Sequence, residues 1–125
     1  MKQDERRKGN EVTRKQAAAV KQKNRIFIVD DHPIVQKGLA QLIDQEADLA
    51  VCGEAEDAET ALELLRKAKP DLAIVDISLR GTDGIELTRL IRTRFEDIPV
   101  LVVSMHDESL FAERALKAGA RGYIM

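Results

Sequence analysis

The chain has 125 residues, of which 44% are hydrophobic and 34% are charged, and this length and composition are typical of one domain with one buried core. Its single cysteine, Cys52, excludes an intramolecular disulfide, and no apolar run approaches the length of a membrane span, so the sequence predicts a cytoplasmic protein. The net charge of -2 is unevenly distributed, because residues 1–25 hold nine Lys/Arg against three Asp/Glu, whereas the remaining residues hold eleven against nineteen.

Residues 1–24 are predicted to be a basic, flexible tail, and residues 25–125 are predicted to be the folded domain. The tail has no aromatic residue and almost no large aliphatic one, so burial cannot offset the entropy lost on ordering. Its Lys, Gln and Ala content also allows a short helix over residues 13–23. We expect no contact of the tail with nucleic acid or membranes, because it lacks stacking aromatics and an amphipathic stripe.

From Arg25 onward, short apolar runs alternate with longer segments of helical periodicity, which is the pattern of a parallel sheet with helical connections. In chain order, the predicted elements are a strand at 26–29, a helix opened by Pro33, a strand at 49–53, a helix capped by Asp57, a strand at 72–75, a helix at 84–95, a strand at 100–103, a helix at 109–118 ended by Gly119, and a strand at 122–125.

The helical segments carry apolar residues at helical spacing, which predicts the side that each turns to the sheet. The predicted inward-facing residues are Val35, Leu39, Leu42 and Ile43 in the first helix, Ala58, Ala61, Leu62 and Leu65 in the second, and Leu87, Leu90 and Ile91 in the third. Phe27 and Phe111 are predicted to pack in the core, and Cys52 is predicted to be buried in the second strand.

This order of elements predicts an α/β fold of the flavodoxin-like (CheY-like) type, a doubly wound five-stranded parallel sheet of order 2-1-3-4-5. In such sheets ligands bind outside the carboxyl ends of the strands, where strands 1 and 3 separate. Polar residues close these strands: Asp30 and Asp31 end the first, Asp76 the third and Ser104 the fourth. We therefore expect these four residues to share one site.

Three carboxylates placed close together repel one another unless a cation intervenes. A cluster of oxygen donors favours Mg²⁺, which binds through one or two carboxylates and accepts phosphate oxygens. Asp76 follows four apolar residues, and its carboxylate is suited to attack phosphorus and form an acyl phosphate. The Ser104 hydroxyl and the backbone N–H groups near Ile77 and Met105 are expected to donate hydrogen bonds to the transferred group.

The polar residues belong to short motifs that occur in a fixed order. These are Asp30-Asp31, Asp76-Ile77-Ser78-Leu79, Asp83-Gly84, Val102-Val103-Ser104 and Ala118-Gly119-Ala120-Arg121-Gly122-Tyr123. With these motifs, residues 25–125 resemble the receiver domains of two-component response regulators. The strings Asp31-His32-Pro33 and Gly84-Ile85-Glu86-Leu87, with Gly122-Tyr123-Ile124-Met125, resemble the subfamily whose receivers precede a LuxR-type helix-turn-helix domain.

The resemblance implies a signalling module, not an enzyme, that takes a phosphoryl group from a sensor histidine kinase and assists its own phosphotransfer and dephosphorylation. The residue roles that it implies are phospho-acceptor for Asp76, Mg²⁺ ligands for Asp30, Asp31, Asp76 and the Ser78 carbonyl, switch hydroxyl for Ser104, and inward-turning aromatic for Tyr123. It also implies that transcription regulation, through DNA binding, resides in a C-terminal output domain that is absent from this chain.

Two features depart from the family pattern. Arg80-Gly81 stands where many receivers have proline, and the family's phosphate-pairing lysine and fifth helix would follow Met125. We therefore expect a C-terminally truncated receiver that lacks its last helix. The missing helix would uncover apolar surface on one side of the sheet, which predicts lower stability, a homodimer or an exchange of elements between chains.

Other interpretations are open at this point. The main alternative is a degenerate receiver that acts as an interaction module without phosphorylation. A flavin carrier is disfavoured by the Asp-Asp-His-Pro loop after the first strand and the 3% aromatic content, and a phosphatase by Ser78 two residues after Asp76. Asp83 is predicted to be a turn residue or a helix N-cap. His32 and His106 are predicted to line the site without forming a metal pair. The alternative for Tyr123 is a core aromatic with its hydroxyl at the surface.

Overall fold

The computed structural model describes residues 23–79, 83–104 and 109–124. The strands are β1 (Asn24–Val29), β2 (Leu49–Ala55), β3 (Leu72–Asp76), β4 (Val100–Val103) and β5 (Gly122–Ile124). The helices are α1 (Pro33–Asp44), α2 (Ala58–Ala68), α3 (Gly84–Arg94) and α4 (Ser109–Lys117). Residues 1–22 of the predicted tail, together with Arg80, Gly81, Met105, His106 and Met125, lie outside the described residues.

The five strands form one sheet of order β2-β1-β3-β4-β5, and every neighbouring pair is parallel. The predicted fold class and strand order are therefore confirmed. The predicted tail extended one residue too far, because Asn24 begins β1 and its N–H donates to the Asp48 carbonyl at 2.9 Å. The register of β1 with β2 shifts between Ile26 and Phe27, so that Cys52 is passed over and Phe27 lies opposite Gly53. Cys52 is half-buried, not fully buried as predicted.

The sheet is covered unequally on its two faces. On one face, α2, α3 and α4 enclose the larger core cluster, in which Phe27, Leu65, Leu87 and Ile91 are fully buried. On the other face, α1 packs on a smaller cluster of isoleucines, which consists of Ile26, Ile28, Ile43 and Ile74. On this second face Ile124 of β5 is exposed.

Two residues of α1 were predicted to face the sheet but do not face it. Leu42 is 62% exposed and Val35 is also exposed, whereas Leu39 and Ile43 pack against the smaller cluster. At about 100° per residue, the buried side of α1 centres between Gln36 and Ile43, and Val35 and Leu42 lie about a quarter-turn away from it. The helix carries a wider apolar stripe than the sheet occupies, and periodicity alone does not show which part of that stripe is buried.

The helix boundary signals are confirmed for the other helices. Asp57 caps α2 by accepting a hydrogen bond from the Thr60 N–H at 2.8 Å, and Asp83 caps α3 by accepting one from the Glu86 N–H at 2.7 Å. Gly119 follows α4 with φ of 111°, a conformation that favours glycine. None of the helices within the described ranges is long and apolar enough to cross a lipid bilayer.

Candidate metal centre

The carboxyl ends of β1 and β3 bring three carboxylates together. Asp30 directly follows β1 and is buried, Asp76 is the last residue of β3 and is also buried, and Asp31 is half-buried beside them. One donor atom from each of these residues and one from His32 lie within 4.8 Å of one another. The predicted proximity of Asp30, Asp31 and Asp76 is confirmed, and their roles stay predictions.

The segment that carries Asp30 and Asp31 is held by a buried side chain of α1. The Gln36 amide donates to the Asp30 and Ala55 carbonyls, each at 3.2 Å. Asp30 in turn donates its N–H to the Ala55 carbonyl at 3.0 Å, so the ends of β1 and β2 and the first turn of α1 form one hydrogen-bonded unit. Sequence analysis missed Gln36, although a polar residue in line with Leu39 and Ile43 on a helix face is a signal for such a role.

The position of Asp76 depends on close contact between α3 and β3. The Gly84 N–H donates to the Ile77 carbonyl at 2.8 Å, and a Cβ at position 84 would overlap the Asp76 carbonyl oxygen and lie 2.7 Å from Ile77 Cα. The Ile77 N–H donates to the Val103 carbonyl at 3.0 Å and is engaged in the sheet, and the expectation that N–H groups near Ile77 serve a transferred phosphoryl group stays a prediction. The neighbouring Ser78 N–H instead donates to Asp76 Oδ1 at 3.3 Å.

Two further residues that were predicted for the site are Ser104 and Ser78. Ser104 follows β4, is buried, and lines a cavity of about 340 Å³ together with Asp30, His32 and Asp76. Ser78 is exposed and reaches the cluster through its N–H, while no contact of its carbonyl is seen among the described residues. These positions place Ser104 and Ser78 beside the carboxylates, and the switch and metal-ligand roles stay predictions.

Tyr123 lies on the face of β5 that packs against the larger core cluster. It is opposite Val102 in the β4 to β5 register, and Ser104 is two residues beyond Val102 and thus on the same face of the sheet. Its hydroxyl is buried and has no hydrogen-bond partner among the described residues. The hydroxyl is therefore not at the surface, where the alternative of a core aromatic placed it, although the residue as a whole is only half-buried.

His32 places a ring nitrogen among the carboxylates. Its Nδ1 lies 3.0 Å from Asp30 Oδ1, 3.0 Å from Asp31 Oδ1 and 3.5 Å from Asp76 Oδ2. The hydrogen bond with Asp30, and then the charge of Asp31, raise the pKa of His32 above the ordinary value of an exposed histidine. Burial, and then the charge of Asp30, raise the pKa of Asp76 above the ordinary carboxyl range.

These features fit a divalent cation. Asp31 Oδ1 is a buried acceptor that receives no hydrogen bond from the described residues, and a buried acceptor without a donor is unfavourable. Three carboxylates within a few ångströms also repel one another, and after burial the charge of Asp30 is the next cause of the raised pKa of Asp76. A small hard cation such as Mg²⁺ would satisfy Asp31 Oδ1 and neutralise the cluster, and carboxylate oxygens are its preferred ligands.

In the absence of divalent ions, Asp76→Asn is expected to raise the free energy of unfolding at neutral pH by on the order of 1 kcal/mol. The pKa of Asp76 is raised in the folded protein, so its protonated carboxyl group stabilises the fold relative to the charged form. This contribution is present at acidic pH and is lost as the pH rises from the ordinary carboxyl range through the raised pKa. Asparagine is uncharged at every pH and therefore avoids the loss. Urea unfolding followed by circular dichroism at several pH values measures the difference, which should shrink at acidic pH.

The matched control is Asp97→Asn, because Asp97 is exposed and lies outside the cluster. This variant is expected to change the free energy of unfolding by less than about 0.5 kcal/mol at every pH. A loss of stability in Asp76→Asn at neutral pH would contradict the electrostatic description of the cluster.

Comparison with known proteins shows that one family pattern matches nearly the whole domain. The sequence pattern of the family described as "Response regulator receiver domain" matches residues 26–125. The transcriptional regulatory protein DegU of Brevibacillus brevis is 37% identical over 103 residues, which are 82% of this chain and 44% of that protein. The chain thus spans less than half the length of this curated relative.

Two solved structures show the similarity of this chain to known proteins in both fold and sequence. A two-component response regulator of the LuxR family from Aurantimonas sp. SI85-9A1 superposes with a TM-score of 0.78 at 44% identity, over 81% of this chain and 72% of that one. The isolated REC domain of RcsB from Salmonella enterica serovar Typhimurium, determined in the presence of phosphomimetic BeF3-, superposes with a TM-score of 0.77 at 28% identity, over 82% of this chain and 77% of that one.

Proposed function

The chain belongs to the family of response regulator receiver domains, and from this membership we propose that it accepts a phosphoryl group on Asp76 from a sensor histidine kinase. The observation that carries the proposal is the position of Asp76, which ends a buried strand within a cluster of carboxylates. The RcsB relative solved with phosphomimetic BeF3- supports it by analogy.

In the proposed reaction, a carboxylate oxygen of Asp76 forms a bond to phosphorus while the bond from phosphorus to the imidazole nitrogen of the kinase's phosphohistidine breaks. The leaving imidazole keeps the electron pair of the broken bond. The Ser78 N–H, which now donates to Asp76 Oδ1 at 3.3 Å, holds the attacking group at the rim of the sheet. The product is an acyl phosphate on Asp76.

Asp30, Asp31, Asp76 and the Ser78 carbonyl are proposed to hold Mg²⁺. When bound, this ion supplies positive charge that neutralises the oxygens of the transferring group. The Gln36 hydrogen bonds fix the segment from which Asp30 and Asp31 project, so these ligands need little rearrangement on binding. Asp31 Oδ1 supports this assignment, because it is buried and receives no hydrogen bond from the described residues, although His32 Nδ1 lies 3.0 Å away.

Ser104 and Tyr123 are proposed to carry the signal away from Asp76. The added phosphoryl charge would draw the Ser104 hydroxyl toward it, because the two side chains line one cavity. Tyr123 lies on the same face of the neighbouring strand, and no hydrogen bond from the described residues holds its buried hydroxyl in place, so the ring would be able to move when Ser104 moves. The surface of α4 and β5 would change as a result.

The wider role is proposed from the relatives. A LuxR-type DNA-binding output domain on the same polypeptide would receive the signal and regulate transcription in the cytoplasm, without direct DNA contact by this domain or by the basic tail. The domain is proposed to act as a signalling module and not as an enzyme with a separate substrate. The exposed Ile34 and Leu42 on α1 and Ile124 on β5 make homodimerisation, or an exchange of elements between chains, the expected use of the less covered sheet face.

Phosphorylation can be tested by incubating the protein with Mg²⁺ and acetyl phosphate and measuring the intact mass. The parent should gain one phosphoryl group, which hydroxylamine removes because acyl phosphates react with it. Asp76→Ala should gain none, and the exposed-site control Asp97→Ala should gain as much as the parent. EDTA should abolish the labelling of the parent and of Asp97→Ala.

Two results would contradict the proposal. If Asp76→Ala is labelled as well as the parent, the acceptor is a different residue. If the parent is not labelled by acetyl phosphate or by a phosphorylated histidine kinase, the alternative of an interaction module that works without phosphorylation is the better description.

A further inference from the structure

A groove of about 730 Å³ lies at the edge of the sheet opposite the carboxylate cluster. It is bounded by the ends of α2 and α3 and by the connections that lead from these helices to the amino ends of β3 and β4. Its most enclosed lining residues are apolar, because Leu65 and Ile98 are buried and Phe95 is half-buried. The volume is within the range of about 300–1,000 Å³ that is common for binding sites.

The charged side chains of the groove are separated by sign. The cations are in the last turns of the two helices or directly after them, where they suit the helix dipole, and the anions are in the connections at the sheet edge. The cations are Arg66, Lys69 and Arg94, and the anions are Asp71, Glu96 and Asp97. Within the part of the chain that the structure describes, no ion pair engages any of the six. The carboxylates of Glu96 and Asp97 are therefore available to cations from another segment.

The chain enters the described domain at the rim of this groove. The Arg25 N–H donates to Asp71 Oδ2 at 2.7 Å, and the Arg25 guanidinium donates to the Lys69 carbonyl at 3.2 Å. Both acceptor residues line the groove. The 22 residues that precede Lys23 are thus attached beside it, and such a tether gives a segment an effective concentration on the order of 1 mM at a nearby surface.

The part of the tail nearest to the domain has a composition that fits the groove. Residues 12–22 contain three cations and no anion, and an apolar run of three alanines and a valine lies at 17–20 between the cations. Because β4 is the second strand from β1, the two are about 10 Å apart. An extended chain from Val20 to Asn24 spans up to about 14 Å, so the apolar run can reach the groove.

We propose that residues 12–22 dock in this groove of the same chain. The apolar run packs on the enclosed lining, and the lysine and arginine side chains that flank it pair with Glu96 and Asp97. Exposed ion pairs are individually weak, but the tether removes much of the entropic cost of association. The proposal differs from the flexible tail that composition alone predicts, and it is independent of the proposed phosphorylation, because the groove and the carboxylate cluster lie at opposite edges of the sheet.

Paramagnetic relaxation enhancement in the full chain tests the contact. A nitroxide is attached through Thr13→Cys in a Cys52→Ser background, which removes the single native thiol. At low salt, the amide signals of residues 93–98 should be attenuated at least about twofold, as expected for a tethered segment that is docked for much of the time. Amide signals at the carboxylate edge should keep their intensity. High salt should weaken the attenuation, because exposed charges are screened.

A pair of double variants separates docking in the groove from general attraction to this edge. Glu96→Gln with Asp97→Asn should lower the attenuation at residues 93–98 by at least about threefold. The matched control, Glu46→Gln with Asp48→Asn, removes the same charge from exposed residues between α1 and β2 at the same edge and should leave the attenuation unchanged.

Three results would overturn the inference. Attenuation only at residues next to the tail in sequence would mean that the tail does not dock. Equal effects of the two double variants would mean that the groove is not the contact. Attenuation in a mixture of spin-labelled chains and isotope-labelled chains without nitroxide would mean that the tail binds a second copy. Phosphorylation of Asp76 is measured separately and is not affected by any of these outcomes.

Discussion

Gly84→Ala is expected to destabilise the fold by about 3 kcal/mol, because the added methyl group overlaps backbone atoms that cannot move aside independently. A Cβ at position 84 would lie 2.7 Å from Ile77 Cα and would collide with the Asp76 carbonyl oxygen. The start of α3 would have to separate from the end of β3, with loss of the hydrogen bond from the Gly84 N–H to the Ile77 carbonyl. Urea unfolding measures the loss, and Mg²⁺ titration should show weaker binding because Asp76 moves.

Gly38→Ala is the matched control for this substitution. Gly38 lies inside α1, and no heavy atom is within 4 Å of the position that its Cβ would occupy. Alanine is favoured over glycine in a helix by roughly 0.5–1 kcal/mol, so this variant should be more stable than the parent. Equal stability of Gly84→Ala and the parent would contradict the close contact described between α3 and β3.

Phe27→Ala is expected to cost about 4 kcal/mol, because it removes a large side chain from the middle of the larger core cluster. Phe27 is only 1% exposed, and the strand that carries it lies between β2 and β3. A loss of this size is a large part of the 5–15 kcal/mol typical of whole domains, so much of the protein should be unfolded at moderate temperature. Leu42→Ala, on the exposed side of α1, should cost less than about 0.5 kcal/mol.

The packing of Phe27 can be separated from its hydrophobicity by a double-mutant cycle with Gly53. A Cβ at position 53 would lie 2.6 Å from Phe27 Cε2, so Gly53→Ala should be destabilising when the ring is present. In the Phe27→Ala background the same change should be almost neutral, which gives an interaction energy of about 1–2 kcal/mol. Additive effects would mean that the ring does not lie over Gly53.

Most of the fold could be predicted because its signals are local. Continuous apolar runs indicate strands covered on both faces, and the capping residues Asp57 and Asp83 indicate where two helices begin. The site followed from one topological rule, since residues at the carboxyl ends of neighbouring parallel strands meet at the same edge. Asp30 and Asp76 could therefore be grouped without knowledge of any distance.

The parts that could not be predicted depend on contacts between elements. The exposure of Leu42 depends on where the sheet meets α1, and the engagement of the Ile77 N–H depends on the register of β3 with β4. His32 lines the site as predicted. The two hydrogen bonds from the Gln36 amide to strand ends were not predicted, because they also depend on how α1 sits against the sheet. Spacing along the chain places Gln36 on the face of α1 that Leu39 and Ile43 share, but it does not show which carbonyls its amide reaches.

The Gln36 amide has a consequence for measurements at different salt concentrations. Its two hydrogen bonds, to the Asp30 and Ala55 carbonyls, are buried and join uncharged groups, so dissolved ions do not shield them appreciably. Raising the ionic strength should weaken the attraction of a divalent ion to the carboxylates while leaving the spacing of those carboxylates unchanged. A fall in ion affinity at high salt would therefore measure long-range attraction alone, with the shape of the binding site held constant.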